Sequence, residues 1–368
     1  SLSVGAGGGS IAWLNDALGG RLEVGPRSAG SYPGPVAYQL GGTEPTVTDA
    51  NLVLGYLSPD AFFAGRMHLD KEAAEEAIRT AIAEPLGVST VEAAALIRRI
   101  IDDKMASAIR KEVTLRGYRP TDFTLFAFGG GGPTHAAGYM GEIPRAVMFP
   151  FSPVFCAYGS SIMDVVHLYE RSHRMMLLAP ITGEPALDRD AFNALVRELM
   201  EEAKRELEAE GLNWDDATVS LELDCLYGGQ IHSKRASSPL LFVESDDDVR
   251  AVYERFEQEF SEAFSPLAVN VPGGVYIDTF VLRVAVPGQE LNLPELPMAE
   301  GEAVPADHRQ AYFDGWVNTP VYELEALKPG HSIVGPAIVQ ADYTTAVIPP
   351  GHRFHIDRHG LGILDREY

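Results

Sequence analysis

Cysteine is scarce in this sequence, with only Cys156 and Cys225 among 368 residues. The two do not form a CxxC pair, which argues against a zinc site built from cysteines. A disulfide between them stays open, but a chain of this length can bury a large core without one. Because so few thiols are typical of a reducing compartment, we expect the protein to be cytoplasmic.

Basic residues are also few relative to acidic ones. The chain has 29 Lys and Arg against 52 Asp and Glu, a formal net charge of −23. Such a surface repels phosphate backbones and anionic lipids, so we expect no nucleic-acid partner. No apolar run approaches the roughly 20 residues that span a bilayer, and residues 1–9 lack the basic and apolar segments of a signal peptide. We therefore expect no membrane partner.

Helical and extended periodicities both occur along the chain, which predicts an α/β protein. Start signals such as Ser89 and stop signals such as Gly117 delimit the helical stretches. The predicted helices are residues 70–84, 90–116, 133–140, 160–169, 189–210 and 249–263. The predicted strands are residues 11–14, 21–24, 123–128, 147–149, 218–226 and 275–286, with further short strands near the end of the chain. We expect strand 123–128 to be buried because it is apolar.

Changes in composition along the chain predict three segments. Residues 1–170 contain the glycine clusters, and residues 171–290 contain acidic amphipathic helices and alternating strands. Residues 289–307 are rich in Pro, Glu and Ala and resemble a linker. We therefore predict an α/β segment over 1–170, an α+β domain over 171–290 and a β-rich segment over 291–368.

Two glycine clusters are the strongest candidates for ligand-binding loops. They comprise Gly7, Gly8 and Gly9, and then Gly129, Gly130, Gly131 and Gly132, which Pro133 and Thr134 follow. The second cluster follows a predicted strand and opens a predicted helix, where free N–H groups attract phosphate. The alternative for the second cluster is a tight turn that binds nothing, and for the first a plain hairpin.

Three polar residues are candidates for catalysis: Asp49, Asn51 and His135. A carboxylate close to an amide, as in Asp49 and Asn51, can position a metal-bound water or a substrate, whereas the alternative is a helix cap. His135 follows the second glycine cluster, where it can contact phosphate or a leaving group. A histidine in a first helical turn also caps or packs. The spacing of potential metal ligands in the sequence does not identify a metal.

Five strings carry a resemblance to a known family. They are VGAGGGSIA (4–12), SAGSYPGP (28–35), PTVTDANLVLG (45–55), FAFGGGGPTHA (126–136) and GPAIVQADYTTAVIPPG (335–351). Together they resemble the hydantoinase A family. Its members include ATP-dependent hydantoinases, 5-oxoprolinases and the ATP-binding subunits of acetone and acetophenone carboxylases.

The resemblance implies an actin/Hsp70-like fold, in which two ribonuclease-H-like lobes close over ATP, followed by an α+β, β-rich C-terminal domain. Residues 1–170 would be the C-terminal part of the ATPase core. The implied cofactors are ATP and Mg²⁺, held by the glycine clusters and Thr134, with Asp49, Asn51 and His135 as catalytic residues. The implied partner is a hydantoinase B-like subunit, which is also the expected place for a further divalent metal.

Two phosphate-binding strings of the family, Asp-Ile-Gly-Gly-Thr and Gly-Gly-Thr-Ser-Thr-Asp, do not occur in this sequence. By resemblance, the chain would begin just after the second string and would lack the N-terminal lobe. We therefore expect this lobe, either as a separate chain or as an upstream segment, to be a necessary partner. The fragment alone is expected to be inactive.

The favoured reaction is ATP-dependent carboxylation of a small-molecule ketone. Residues 151–167 resemble the ketone carboxylase branch, and residues 38–41 depart from the string expected in hydantoinases. One alternative is ATP-dependent hydrolysis of a cyclic amide, as by an N-methylhydantoinase or a 5-oxoprolinase, which uses the same ATP site. The other is a non-catalytic assembly module, in which residues 25–42 and the β-rich end form subunit contacts.

Overall fold

The computed structural model describes residues 3–289 and 292–367, and within them helices and sheets are mixed. This confirms the predicted α/β class. The helices are α1 Val47–Val53, α2 Lys71–Ile78, α3 Glu84–Leu86, α4 Thr90–Leu115, α5 Gly132–Tyr139, α6 Phe155–Ile162, α7 Arg189–Ala209 and α8 Asp246–Ala263.

The strands lie mainly in the second half of the chain. They are β1 Ser10–Asn15, β2 Arg21–Ser28, β3 Thr124–Ala127, β4 Arg145–Met148, β5 Val165–Leu178, β6 Thr218–Tyr227, β7 Lys234–Ser237, β8 Val275–Val286, β9 Asp307–Tyr312, β10 Trp316–Glu323, β11 Ser332–Val334, β12 Ala337–Ala341, β13 Thr344–Ile348, β14 His352–Ile356 and β15 Gly362–Arg366.

The chain divides into two compact units. The first unit consists of Ser1–Tyr158 and Asn292–Tyr368, and the second consists of Gly159–Leu291. The end of the chain belongs to the first unit because β15 pairs antiparallel with β4. The described residues of the predicted linker that precede β9 form neither helix nor strand, and Glu290 and Leu291 lie outside the described residues. The division of the chain into three segments stays a prediction. Under this division, residues 291–368 would be a separate segment in the sequence that folds as part of the first unit.

The first unit contains three sheets. A two-stranded sheet pairs β1 with β2, a four-stranded sheet has the order β13-β12-β10-β9, and a five-stranded sheet has the order β11-β14-β15-β4-β3. Helix α4 runs beside them and begins as predicted, because Ser89 and Glu92 form a capping box. Its apolar face, including Ala93, Ile97 and Ile101, is fully buried.

The second unit is an antiparallel sheet in the order β5-β8-β6-β7 that packs with α7 and α8. Both helices are amphipathic, so that one face of each is apolar. Phe192 and Val196 of α7 and Phe256 and Phe260 of α8 are buried in one hydrophobic core. These two helices and the long strands β6 and β8 agree with the sequence prediction.

Two sequence predictions about local structure were wrong. Strand β3 is at the edge of its sheet rather than buried, and its Phe126 is 55% exposed. Residues 160–169 are not one helix, since α6 ends at Ile162 and β5 begins at Val165. Pairing of β5 with β8 over their length overrides the local helical pattern.

Among the described residues no single helix has both the length and the apolar composition needed to cross a bilayer. The bent pair formed by Lys71–Leu86 and Thr90–Leu115 meets these criteria only when its two members are taken together.

Candidate functional site

The two glycine clusters converge on one cavity of about 490 Å³ in the first unit. Of the residues predicted from the sequence, the following line it: Gly8, Gly9, Asn51, Gly130, Gly131, Thr134 and His135. Four others do not line it: Gly7, Gly129, Gly132 and Asp49. The fold therefore brings together loops that are more than a hundred residues apart in the chain. The rest of the wall includes Tyr38, Phe62, Phe63 and residues 341–345.

The first glycine cluster is held against the start of α1. The carbonyl oxygen of Gly8 accepts hydrogen bonds from the Thr48 N–H at 2.9 Å and from the Thr48 hydroxyl at 3.0 Å. A Cβ at Gly8 would lie 2.7 Å from Thr48 Oγ1, so no side chain fits without displacing this contact. The close packing of Gly8 is thus required by the fold itself, whether or not a ligand binds.

The second glycine cluster connects β3 to α5 and is fixed by its carbonyl groups. The Gly129 carbonyl accepts a bond from the Ser152 hydroxyl, and the Gly130 carbonyl accepts one from the Thr344 hydroxyl at 3.0 Å. The N–H groups of a first helical turn have no partner within the helix. At Gly131, which precedes α5, a Cβ would meet nothing within 4 Å. The loop is therefore anchored and leaves open space at Gly131, as a ligand-binding loop requires.

A buried hydrogen-bond network lies directly beneath the cavity. His135 Nδ1 contacts Asp102 Oδ1 at 2.5 Å, and His135 Nε2 contacts Asn51 Nδ2 at 2.9 Å. Arg98 donates to Asn51 Oδ1 at 2.7 Å and to the Thr134 carbonyl at 2.6 Å. Because a carboxylate only accepts, these partners place the proton on Nδ1 and make Nε2 an acceptor from the Asn51 amide.

The protonation state of His135 follows from its surroundings. Burial lowers the pKa of its imidazole below the ordinary value, and the positive charge of Arg98 lowers it further. The hydrogen bond to the Asp102 carboxylate acts in the opposite direction but is the smaller effect. His135 is therefore neutral near pH 7, and it connects Asp102 on α4 to Asn51 on α1.

Asp49 is placed differently from the other two catalytic candidates. Its side chain is fully buried and forms a capping box with Thr46 at the start of α1. Its carboxylate also accepts bonds from the N–H groups of Val36, at 3.2 Å, and Ala37, at 2.8 Å. Burial raises the pKa of this carboxyl, and the four hydrogen bonds oppose the shift. These are the contacts of a helix cap, which was the alternative interpretation of Asp49.

Sequence reasoning missed several residues of this site. Arg98 and Asp102 are one helical turn apart on α4, and the spacing alone is also that of a surface ion pair. The sequence contained part of the information needed to predict Asp102. This acidic residue directly follows Ile101, which is on the apolar face of the helix. The β12–β13 hairpin, which brings Asp342 and Tyr343 to the cavity, lies in the string 335–351 that carries the family resemblance, but none of its residues was predicted to line the site.

The cavity lining has few charged groups. Among the described residues that line it, none is Lys or Arg, and Asp342 is the carboxylate. The described part of the chain contains no cluster of three or more potential metal-ligating side chains. Free backbone N–H groups and neutral side chains fit the uncharged part of a nucleotide and hydrogen bonds to phosphate, whereas the cations that neutralise phosphate are not part of this wall.

Comparisons with known proteins give a consistent result. Residues 1–169 match the family model described as Hydantoinase/oxoprolinase, and residues 186–366 match the Hydantoinase/oxoprolinase C-terminal domain. The acetophenone carboxylase gamma subunit of Aromatoleum aromaticum is 58% identical over 370 residues, which cover 99% of this chain and 50% of that protein.

Two solved structures are also similar. A nucleotide-free structure of acetone carboxylase, an enzyme of ATP-dependent acetone carboxylation, matches with a TM-score of 0.82 at 28% identity, covering 98% of this chain and 52% of that one. The ATP-dependent caprolactamase of Pseudomonas jessenii matches with a TM-score of 0.80 at 33% identity, with the same coverage of 98% and 52%. This chain spans about half the length of the relatives that it matches.

Proposed function

We propose that this chain, which belongs to the hydantoinase/oxoprolinase family, forms part of an ATP-dependent ketone carboxylase subunit. The observation that carries the proposal is the cavity where both glycine clusters meet, in a chain 58% identical to an acetophenone carboxylase subunit. When bound, ATP supplies the phosphoryl group that activates a substrate oxygen. The protein must keep such a short-lived species away from water.

The residues of the cavity divide into loops that contact a nucleotide and groups that position them. Gly131 offers backbone beside open space, and Thr134 is tied through its hydroxyl to the Thr345 carbonyl at 2.7 Å. Asn51 and His135 both line the cavity and stay the catalytic candidates. We assign Asp49 to capping α1, and we propose Asp342 as the carboxylate in this chain best placed to contribute to Mg²⁺ binding.

We propose that ATP binding also needs an N-terminal lobe. The support is the absence of Lys and Arg among the described residues that line the cavity, because a triphosphate needs cationic partners. The isolated chain should then bind MgATP weakly or not at all, and adding the upstream half found in its relatives should restore binding. Calorimetry measures this directly, and tight Mg²⁺-dependent binding by the chain alone would contradict the proposal.

We also propose a hydantoinase B-like subunit as a partner. The proposed location is the cytoplasm. The support for a hetero-oligomer is that the relative from Aromatoleum aromaticum is itself named as a gamma subunit. Co-purification from the natural source, followed by mass spectrometry, tests for the partner. Purification as a homogeneous single-chain enzyme with full activity would count against it.

The reaction is tested with the complete enzyme and a panel of substrates. Carboxylation predicts ATP consumption only when a ketone and bicarbonate are both present, with labelled bicarbonate entering a β-keto acid. A ketone that fails to stimulate ATP consumption in the presence of bicarbonate would contradict the carboxylase proposal.

A second candidate is ATP-dependent hydrolysis of a cyclic amide. It is favoured by the similarity to caprolactamase, which matches this chain with a TM-score of 0.80 at 33% identity. Here a lactam or hydantoin should stimulate ATP consumption without bicarbonate, since water is the second reactant. The same panel separates the two candidates, because only carboxylation incorporates labelled carbon.

A further inference from the structure

Arg98 on α4 contacts two other helices through one guanidinium group. It donates to Asn51 Oδ1 on α1 at 2.7 Å and to the Thr134 carbonyl in the first turn of α5 at 2.6 Å. Its side chain is only 12% exposed, and Asp102 balances its charge from one helical turn away. The guanidinium carbon also lies 4.4 Å from the centroid of the Tyr56 ring. A planar fork held on this many sides has a fixed orientation, so it joins α1 to α5 rigidly.

The two helices that Arg98 joins each hold one of the glycine clusters. Thr48, which lies one turn before Asn51 on α1, donates to the Gly8 carbonyl through both its N–H and its hydroxyl. Thr134 lies two residues after the second glycine cluster, at the start of α5. Through these two helices, Arg98 therefore determines the separation of the two glycine loops.

Arg98 also determines which atoms of the Asn51 amide face His135. A guanidinium has only donors, so the Asn51 oxygen must face Arg98, and this leaves Nδ2 to donate to His135 Nε2 at 2.9 Å. In the opposite orientation of the amide, two donors would face each other at Arg98. The orientations of both catalytic candidates, Asn51 and His135, thus depend on a residue that is not part of the cavity wall.

We propose that Arg98 is a positioning residue, which sets the separation of the glycine loops and the orientation of Asn51 and His135 for a nucleotide bound between them. This inference rests on the proposed function, because the ligand is taken to be a nucleotide. It applies equally to carboxylation and to cyclic amide hydrolysis, since both use the same cavity. It requires the fork geometry of the guanidinium and not only its positive charge.

A different cavity, of about 470 Å³, makes Arg98 accessible to a chemical test. Arg98 lines this cavity together with Tyr56, Arg99 and Asp102. A small cation from solvent can therefore reach the position of the Arg98 guanidinium without entering the cavity of the glycine clusters. In an Arg98→Ala variant, added guanidinium ion has room to take the place of the missing group.

The first test is chemical rescue in the complete enzyme, with substrate-dependent ATP consumption as the readout. Arg98→Ala should lower kcat by about 100-fold, because misplaced loops and catalytic groups no longer match the nucleotide. Guanidinium chloride at a non-denaturing concentration should then raise kcat of this variant by at least about tenfold and reach saturation. Sodium chloride at the same ionic strength should not raise it.

Arg99→Ala is the matched control for the rescue. Arg99 is the next residue of α4, is exposed and lines the same 470 Å³ cavity. This variant should keep wild-type turnover and should not respond to guanidinium. Failure of guanidinium to raise the turnover of a well-folded Arg98→Ala enzyme would overturn the inference, and so would equal stimulation of both variants.

Arg98→Lys provides a second test that does not depend on how well Arg98→Ala folds. Lysine keeps a positive charge near Asp102, so thermal unfolding should stay close to wild type, but an ammonium group cannot reproduce the planar fork. KM for ATP should rise and kcat should fall, each by about tenfold. A merely structural role would reduce the amount of active enzyme and leave KM for ATP unchanged. An Arg98→Lys enzyme with wild-type kcat and KM would overturn the inference.

The wild-type enzyme separates failure of this inference from failure of the proposed function. If a lactam and not a ketone stimulates ATP consumption, the carboxylase proposal fails, and the Arg98 variants should show the same ratios in the lactam reaction. If the wild type consumes ATP in either reaction and the variants match it, only the positioning role fails. If the wild-type enzyme binds no MgATP in calorimetry, both are wrong.

Discussion

The two units of this molecule bury polar side chains to very different extents. Ten of the eleven buried polar residues described lie in the first unit, and Asn193 is the one in the second. Asn193 is fully paired with the backbone of Val243, donating at 2.8 Å and accepting at 2.9 Å. Burying a polar group is costly unless it is hydrogen-bonded. The second unit, which buries one such residue among those described, therefore has an almost entirely apolar interior.

In the first unit several of the buried polar residues lie at one cavity. Asn51, Thr134 and His135 line the cavity where the two glycine clusters meet, and Asp102 contacts His135. Each has a partner within the network, and each partner comes from another element of the chain. The comparison teaches that stability in the second unit depends on apolar packing, whereas geometry at the cavity depends on a few paired polar groups.

The largest effect on stability is expected from the core of the second unit. Phe192 is fully buried, and its ring centroid is 5.1 Å from that of Phe280. Phe192→Ala removes these contacts and leaves a cavity, so the free energy of unfolding should fall by about 4 kcal/mol. Urea denaturation followed by Trp214 fluorescence measures it, in a background with Trp13→Phe and Trp316→Phe, because Trp214 packs on this core.

The control for this prediction is Phe264→Ala. Phe264 is 65% exposed, so its removal should change the free energy of unfolding by no more than about 0.5 kcal/mol. Equal losses of stability for the two variants would show that Phe192 does not hold the core together.

The next largest effect is expected from the buried network of the first unit. Arg98→Met removes the donor to Asn51 Oδ1 and to the Thr134 carbonyl and leaves the Asp102 carboxylate without its cation. An uncompensated buried charge makes such a change cost about 3 kcal/mol of unfolding free energy. Denaturation with a probe of the first unit, Trp13, measures the loss.

A surface arginine of the second unit is the matched control. Arg171 contacts Glu198 at 3.0 Å and Glu202 at 2.9 Å, but all three side chains are well exposed to solvent. Arg171→Met should therefore cost no more than about 1 kcal/mol. If both arginine variants lose the same stability, burial does not distinguish the two units in the way that we describe.

The parts of the fold that the sequence predicts are those set by local pattern. The start of α4 depends on Ser89 and Glu92, which are neighbours in the chain, and the prediction was right. The exposure of Phe126 depends on β3 being at a sheet edge, and the strand at Val165 depends on pairing with β8. These are tertiary contacts that no local pattern contains.

The same distinction holds for the site. The glycine loop before Thr134 is visible as a string, because strand, glycines and helix follow one another. The hydrogen bond from Thr134 to Thr345, however, joins residues 211 positions apart. Arg98 and Asp102 were missed since their role depends on Asn51 and His135 arriving from other elements.

An intermediate effect, on activity rather than stability, is expected at Gly131. In this chain a Cβ at Gly131 meets no atom within 4 Å, so a clash can come only from a ligand. Gly131→Val in the complete enzyme should reduce ATP turnover by about 100-fold by displacing the nucleotide, while thermal unfolding stays close to wild type.

Gly315→Val is the control, because Gly315 is also free of neighbours within 4 Å but lies in the turn between β9 and β10. It should retain wild-type turnover. A normal rate in a well-folded Gly131→Val enzyme would mean that the second glycine cluster is a structural turn, and the contrast between the two units would then lose its functional meaning.

The smallest effect is a pH dependence that arises from His135. Burial and the charge of Arg98 lower the pKa of this imidazole below its ordinary value of 6.5 in the folded protein. As the pH falls below about 6.5, the unfolded chain binds a proton before the folded one does, so folding loses stability by up to about 1.4 kcal/mol per pH unit. Above that window the group contributes its full stabilisation.

His135→Gln removes the titration, so the difference in unfolding free energy between wild type and variant should narrow as the pH falls from about 7 to about 5. Urea titrations of both proteins at several pH values measure this difference. Parallel curves would mean that the folded protein accepts a proton at His135 as readily as the unfolded chain, and that the network of Asp102, His135 and Asn51 tolerates a charged imidazole.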